Sequence, residues 1–438
     1  MKNIRYEFVE KPVSAWGGMR MMKELIDRTG VREYMEKLPL PKRGSNRGYS
    51  PIQIVESFWV SIWIGASRFA HSAYLRYDEV IKEIFRWKQS PSQSTYSRFF
   101  GKFSWKLNNE VFVPLQKWFF ESIKIKGVTV DFDSTVMTRY GEQEGSKVGY
   151  NPQKPGRASH HPLIAFLAET RMVINAWLRA GNTVAISNIK GFLEESFEIL
   201  SEIKVRLVRA DSGFYYEKFL QYFENKLINY IVAVKLFEPI KQMLQGNEGW
   251  ITTKSGVQVK EFEYKAIGWK KARRFIAVRK NIEKMPKATG KLLLFKEDQL
   301  PPIYRYSVYV TNLDLPAEQI WNMYRDRGDS ENRIKELKYD FAINGFCMKK
   351  FWATEAAFRT IMVAYNLMSL FRQVVLQNKT QATLNTLKLK CFALGSWIAK
   401  TSRKKVLKIS VSGKRRDWLE GLFSNVSQLS PPFSFSNA

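Results

Sequence analysis

The sequence has few of the residues that build disulfide scaffolds or zinc sites. Its 438 residues include only two cysteines, Cys347 and Cys391, which lie far apart and outside any CxxC pair. We therefore expect neither a disulfide framework nor a cysteine-ligated zinc site. Scarce cysteine is also typical of proteins in a reducing compartment, so the sequence predicts a cytoplasmic protein.

Long apolar runs and nucleotide-binding loops are also missing. Residues 361–376 are interrupted by Asn366 and Arg372, and the apolar run 58–66 is too short to span a bilayer. The first twelve residues lack the apolar centre of a secretory signal. No GxxxxGK[ST] loop occurs, so ATP use is not indicated. We expect a protein that neither enters a membrane nor hydrolyses ATP.

Acidic residues are in clear deficit. The chain carries 70 Lys and Arg against 41 Asp and Glu, a net charge of +29. Such an excess repels itself in a compact chain and favours a polyanionic partner, with nucleic acid as the first candidate. An anionic membrane surface is the alternative, but it would require a basic amphipathic helix beside an anchor. A basic protein without such a partner is the third possibility.

Apolar patterning predicts an α/β protein with several regions. Residues 1–120 read as mostly helical, with interleaved basic and aromatic residues, and we interpret them as a DNA-binding or dimerisation region. Residues 121–235 alternate strands and helices in an order that predicts a mixed sheet with helices on its faces. Residues 236–318 read as a β-rich insertion, in which 291–295 is one of the short strands. Residues 319–377 are predicted to be helical, and 378–438 form a basic C-terminal region.

Three aspartates stand at predicted strand positions. Asp131 and Asp133 lie two residues apart on one strand and therefore share a face, while Asp211 ends another strand. Aspartate is depleted from strands and costly to bury unpaired, and a cation between the carboxylates would remove that cost. All-oxygen ligation suits Mg²⁺ or Mn²⁺. Taken singly, each aspartate could instead be a strand-end cap or a turn residue.

A long helix is predicted from Pro316 to Tyr339. At about 100° per residue, Tyr324, Arg327, Glu331 and Lys338 would share an arc of about 60° on it. Such a face could bring a carboxylate to a metal and cations to a phosphate. The alternative is a solvated face with i, i+4 ion pairs such as Arg327–Glu331.

These four residues carry a resemblance to a known group. Their spacing, Y-x2-R-x3-E-x6-K, resembles the signature of bacterial insertion-sequence transposases that have a ribonuclease H-like catalytic domain with a DDE triad. Asp133-Ser134-Thr135 and the RADSGFY segment at 209–215 are similar to the surroundings of the first two triad acids in that group. The resemblance implies a metal-binding triad of Asp133, Asp211 and Glu331, with Tyr324, Arg327 and Lys338 contacting DNA. Asp131 points to the same face as Asp133 and stays an alternative to it.

The resemblance also implies a reaction. Two Mg²⁺ ions would flank the scissile phosphate at a transposon end, and the freed 3′-OH would attack through a hairpin intermediate before joining target DNA. It further implies double-stranded DNA as partner, a homodimer on DNA and a place in the bacterial nucleoid. Trp250 or Trp269 could stack on a flipped base, although a place in the core is the favoured interpretation of each. Two alternatives are a non-catalytic DNA-binding regulator derived from a transposase and a nuclease that only hydrolyses.

Overall fold

The N-terminal part of the chain is helical, as its apolar pattern predicts. The computed structural model describes residues 4–46, 48–281, 304–377, 382–401 and 404–435. The helices before residue 122 are α1 (Met19–Thr29), α2 (Val31–Glu36), α3 (Pro51–Trp63), α4 (Ala73–Tyr77), α5 (Glu79–Phe85), α6 (Gln93–Phe100) and α7 (Trp105–Glu121). Helix α3 starts where the sequence indicates, because the Ser50 side chain accepts a hydrogen bond from the Gln53 amide and Pro51 takes the first helical position.

A mixed sheet forms the centre of the molecule. Its first strands along the chain are β3 (Val128–Ser134), β7 (Leu163–Leu167), β8 (Met172–Trp177), β9 (Val205–Ala210) and β10 (Asn229–Val234). The short strands belong to smaller sheets; they are β1 (Val13–Ser14), β2 (Ile123–Lys124), β4 (Met137–Thr138), β5 (Lys147–Val148) and β6 (Ala158–His160). β3 pairs antiparallel with β7, and β7 pairs antiparallel with β8. On its other side β3 pairs in parallel with β9, and β9 in parallel with β10. Three consecutive antiparallel strands are thus followed by two parallel ones.

The β-rich segment after residue 236 extends this sheet. After helix α10 (Glu238–Leu244) come β11 (Ile251–Thr252), β12 (Gln258–Tyr264), β13 (Arg273–Asn281) and β14 (Tyr304–Thr311). β14 pairs antiparallel with β10, so nine described strands follow one another in the order β11-β12-β13-β14-β10-β9-β3-β7-β8. The predicted strand at 291–295 lies outside the described residues. The sequence pattern identified the strands but not their continuity with the central sheet.

The two faces of β3 differ in chemistry because successive side chains alternate. The Phe132 ring packs against rings of α8 (Ile189–Leu200) and α9 (Glu217–Asn225), including Phe192 and Phe219. Asp131 and Asp133 point to the other face, toward the helices that follow β14. One face therefore builds the core, and the other presents carboxylates.

The predicted helix from Pro316 to Tyr339 is not continuous. The structure contains α11 (Ala317–Arg325) and α12 (Gly328–Tyr339), separated by a turn at 326–327. Within the turn the Arg327 amide bonds to the Tyr324 carbonyl, and the Ser330 amide bonds to the Arg327 carbonyl. These are i to i+3 bonds, which turn the chain faster than an α-helix does. The predicted arc of about 60° assumes uniform α-helical geometry, which this turn interrupts.

The last part of the chain closes the core. Helix α13 (Phe351–Leu370) continues into a wider π-helical turn at Phe371–Leu376, followed by α14 (Leu384–Leu387), β15 (Ser396–Thr401), β16 (Lys404–Ile409), α15 (Gly413–Ser427) and β17 (Phe433–Ser434). The Trp59 and Trp63 indoles of α3 donate to the Thr360 and Ala364 carbonyls of α13, so the N-terminal helices and α13 share one core. In the part of the chain that the structure describes, no helix is long and apolar enough to cross a membrane.

Candidate active site

Asp133 stands near the carboxyl end of β3 and is 7% exposed. Its Oδ2 lies 2.9 Å from Arg327 Nη2 and 3.4 Å from the Ser330 hydroxyl, while Oδ1 accepts a bond of 2.8 Å from the Ser134 amide. Burial raises the pKa of Asp133 to about 6, against the opposing effect of Arg327. Repulsion from Asp211 also contributes to that raised pKa. The carboxylate is therefore held in a place where an additional cation would be favourable.

Asp211 reaches the same edge of the sheet from the neighbouring strand. It directly follows β9, whose Ala210 pairs with Phe132 of β3 in parallel register. Its Oδ1 accepts a bond of 2.8 Å from the Gly213 amide, which caps a short 3₁₀ turn. Parallel neighbouring strands end at the same edge, so the two aspartates that the sequence singled out lie close enough to repel each other.

Asp131 lies in a different environment from Asp133. It is fully buried, and Arg209 binds both of its oxygens, at 2.7 Å from Nε and 3.0 Å from Nη2. Arg333 Nη1 is 3.5 Å from Oδ2. The Asp131 carboxylate is thus already neutralised by two buried guanidinium groups.

The turn between α11 and α12 brings the signature residues to this edge. Tyr324 donates its hydroxyl to the Ala210 carbonyl at 3.4 Å, and Arg327 pairs with Asp133. Burial acts to lower the pKa of Arg327, but the charges around it, that of Asp133 above all, together outweigh burial and raise the pKa. Lys338 is half-buried; burial lowers its pKa, and the charge of Asp133 opposes that change. Tyr324, Arg327 and Lys338 therefore surround Asp133 although the helix is broken.

Glu331 stands apart from the two aspartates. It lies in the first turn of α12 with an exposed side chain, directly after Ser330, whose hydroxyl contacts Asp133. Among the described residues, no group of three or more His, Cys, Asp or Glu side chains is arranged to hold a metal ion. Asp133 and Asp211 fit a divalent cation by their oxygen chemistry and mutual repulsion. The Glu331 backbone lies beside them, but its side chain does not complete the set in this structure.

Sequence comparison decides the family. A family model described as transposase DDE domain group 1 matches residues 1–431. The chain belongs to this transposase family. No curated protein matches the sequence of this family member. The cryo-EM structure of a piggyBac transposase synaptic complex with hairpin DNA is similar at a TM-score of 0.46 and 11% identity, covering 85% of this chain and 78% of that one. Such a level of similarity supports no residue-by-residue correspondence.

Several residues at the site of this DDE transposase family member were not predicted. His161 is buried; its Nδ1 is 2.8 Å from the Thr183 carbonyl and its Nε2 is 3.2 Å from the Ser134 hydroxyl. Since only a protonated Nδ1 can donate to the carbonyl, Nε2 accepts from Ser134. Burial lowers the pKa of His161, which keeps the ring neutral. Arg209 had a sequence signal, because a cation inside the strand preceding Asp211 requires a buried partner.

The two tryptophans considered for a flipped base are both covered. Trp269 is 9% exposed, with the Arg273 guanidinium 4.6 Å from its ring centre. Trp250 has the Arg279 guanidinium at 4.4 Å. Each ring therefore already stacks on an arginine within the transposase fold. A base could use either ring only by displacing that arginine.

Proposed function

We propose that the protein is a DNA transposase that cleaves DNA at transposon ends and joins the freed end to target DNA, with Asp133, Asp211 and Glu331 as its metal-binding triad. The observation that supports this most directly is that Asp133 and Asp211 lie at the ends of the adjacent parallel strands β3 and β9, where Arg327 pairs with Asp133. Three antiparallel strands followed by two parallel ones support a ribonuclease H-like core. On this proposal residues 1–120 bind DNA or dimerise, 121–235 and 319–377 form the core, 236–318 are the insertion, and 378–438 add basic contacts.

Asp133 and Asp211 lie close enough to repel each other, and Glu331 is adjacent in sequence to Ser330, whose hydroxyl contacts Asp133. Asp133 and Asp211 would hold Mg²⁺ or Mn²⁺ through their free oxygen lone pairs, and Glu331 would join them from α12. Bound ions of this kind lower the pKa of an attacking water and stabilise a leaving 3′ oxygen. Asp131 is left out of the proposed triad because Arg209 occupies both of its oxygens.

The basic and phenolic groups have a separate role in binding phosphate. Arg327 Nε is buried without a hydrogen-bond partner among the described residues, so the guanidinium has capacity for a further acceptor. Arginine binds phosphate through paired N–H groups, and Lys338 adds a point charge near the same carboxylate. Burial raises the pKa of Tyr324, so its hydroxyl stays protonated, and it would donate to a phosphate oxygen in place of the Ala210 carbonyl. We assign these three residues to the DNA backbone beside the cut.

The remaining parts of the proposal rest on the signature and the charge. The signature group passes through a hairpin at the transposon end, and we extend that route to this chain. A net charge of +29 suits double-stranded DNA, both transposon ends and target, bound by a homodimer in the bacterial nucleoid. The exposed Glu331 favours one alternative, a DNA-binding regulator derived from a transposase, because such a protein would need no assembled triad.

The test is cleavage of DNA that carries the inverted repeats flanking the coding sequence. Wild type would be compared with Asp211→Asn and Glu331→Gln, in Mg²⁺ and in EDTA. Both substitutions keep the side-chain shape and remove the charge, so binding of the ends is the matched control. The proposal predicts metal-dependent cutting, with a hairpin product on a denaturing gel, that both variants lose while binding persists. Equal binding without cutting by any of the proteins would favour the regulator.

A further inference from the structure

A basic cleft that the proposed reaction does not use opens beside α12. It has a volume of about 1250 Å³ and is bounded by β3, α12, the π-helical turn after α13, and α14. Thr129, on the same face of β3 as Asp133, lies in its wall, roughly 13 Å from Asp133 at about 3.3 Å per residue. Asp326 and Gly328 also line it, whereas Arg327 between them turns to Asp133. The cleft and the proposed active site thus share one strand face.

The lining of the cleft is basic. It contains six basic side chains and three acidic ones, the basic ones being Arg171, Arg209, Arg325, Arg333, Arg372 and Lys390. Two of the acids already have partners, because Asp329 pairs with Arg171 and Arg333, and Glu169 accepts from the Thr129 amide. Arg209 and Arg372 also pair with Asp131 and Glu336, two carboxylates outside the lining. Six basic side chains therefore meet five carboxylates, which leaves an excess of one positive charge in the cleft.

Arg372 is the strongest sign of a missing ligand. Its side chain is 5% exposed, and its Nη2 pairs with the buried carboxylate of Glu336. Its Nε and Nη1 have no hydrogen-bond partner among the described residues. Buried guanidinium nitrogens without acceptors are unfavourable, so an anion that enters the cleft would satisfy them. A phosphate group suits this position because arginine matches its geometry and charge.

An exposed aromatic ring adds a second, independent feature. Trp418 of α15 lines the same cleft and is 41% exposed. Grooves that bind single-stranded nucleic acid combine a basic track for the backbone with aromatic rings on which bases stack. A small inorganic anion would use Arg372 but would have no use for Trp418.

We propose that this cleft binds phosphate groups and that its ligand is the backbone of a single DNA strand, with a base on Trp418. The proposal rests on the proposed function for the presence of DNA, but not on the triad. The strand would lie in the cleft that Asp326 and Gly328 line, whereas Arg327 turns to Asp133, so it would be held separately from the phosphate being cut. The site would therefore bind DNA without metal.

The test measures binding of a fluorescein-labelled single-stranded oligonucleotide in EDTA over a range of salt concentrations. Lys390→Gln removes an exposed cation from the cleft and is expected to lower the salt slope by about one. Trp418→Ala is expected to weaken binding by at least about fivefold through lost stacking. Asp329→Asn removes a negative charge from the wall and is expected to tighten binding. Lys106→Gln, an exposed lysine of α7 outside the cleft, is the matched control and should not change the slope.

Ultraviolet cross-linking separates the possible ligands. A 5-bromouracil strand should cross-link to the peptide that carries Trp418, and inorganic phosphate should compete with it. Competition by phosphate without any effect of Trp418→Ala on DNA binding would overturn the DNA assignment and leave a free-phosphate site. Unchanged binding in all cleft variants would overturn the site itself. Metal-dependent cutting by wild type that Asp211→Asn loses would show that the proposed function stands even where the cleft variants bind as wild type does.

Discussion

Arg209 binds Asp131 through both carboxylate oxygens, at 2.7 and 3.0 Å, across the parallel pairing of β3 with β9. The two residues are direct partners in the strand register. Asp133, two residues further on the same face, has Arg327 beside it but also repulsion from Asp211. Two aspartates on the same face of β3 thus have different surroundings. Asp131 is part of a buried ion pair, and Asp133 faces the candidate site.

Asp131→Asn is expected to destabilise the protein. The substitution leaves Arg209 and Arg333 buried without their carboxylate, which costs about 3–5 kcal/mol in comparable buried pairs. The free energy of unfolding, measured in urea without metal, should fall by that amount. Asp133→Asn is the comparison: it also takes the partner of Arg327 away, but it removes a charge that burial and Asp211 disfavour, so its loss of stability should be smaller. A stable Asp131→Asn protein beside an unfolded Asp133→Asn protein would reverse the two assignments.

Glu331→Gln is expected to separate activity from stability. The side chain is exposed and lies outside the contacts described for Asp133 and Asp211, so the free energy of unfolding should change by less than about 0.5 kcal/mol. Cutting of transposon ends should be lost if Glu331 completes the triad. The neighbouring exposed Asn332→Asp adds a carboxylate one residue away and serves as a position control. Normal cutting by Glu331→Gln would remove Glu331 from the triad.

Arg327→Lys tests the shape of the group beside Asp133. Lysine keeps the charge but not the planar set of N–H donors, so it cannot contact Asp133 and a phosphate in the same way. We expect the cutting rate to fall by about a hundredfold, as when one donor to a reacting phosphate or oxyanion is removed. Binding of transposon ends in EDTA should change far less. A cutting rate equal to that of wild type would mean that charge alone is sufficient at this position.

His160 is expected to make stability depend on pH. It is fully buried, accepts at Nδ1 from Arg139 Nε and lies 2.9 Å through Nε2 from the Glu144 carbonyl. Burial, together with the charge of Arg139, lowers the pKa of His160 to about 4. The unfolded chain therefore takes up this proton near pH 6.5, before the folded chain does. The stabilising contribution is present above pH 6.5 and is lost as the pH falls toward about 4.

The measurement is the free energy of unfolding in urea between pH 4 and pH 7. Within that window His160 contributes a slope of up to about 1.4 kcal/mol per pH unit. In His160→Gln this part of the slope should disappear, even though the variant is less stable at neutral pH. An identical pH dependence in both proteins would contradict the assignment of a neutral buried ring.

Much of the fold follows from local sequence pattern. The strand that carries Asp131 and Asp133 and the strand that ends at Asp211 were both predicted, and they are β3 and β9. Ser50 and Pro51 are typical of a helix start, and they begin α3. Asp133 and Asp211 could be singled out because aspartate is depleted from strands, so an aspartate at a strand position indicates a specific partner or ligand. The spacing of Tyr324, Arg327 and Lys338 predicted that the three side chains lie on one helix face. These signals depend on chain neighbours, and the sequence displays them directly.

Other features depend on which distant segments meet. The break at 326–327 comes from i to i+3 bonds that place Arg327 against Asp133, although the local pattern is that of one continuous helix. Continuity of β14 with β10, and therefore the single nine-stranded sheet, depends on pairing between residues about eighty apart. The sequence determined the elements, the acids and the excess positive charge. Only tertiary structure distinguishes the surroundings of Asp131 from those of Asp133, because strand register sets Arg209 opposite Asp131.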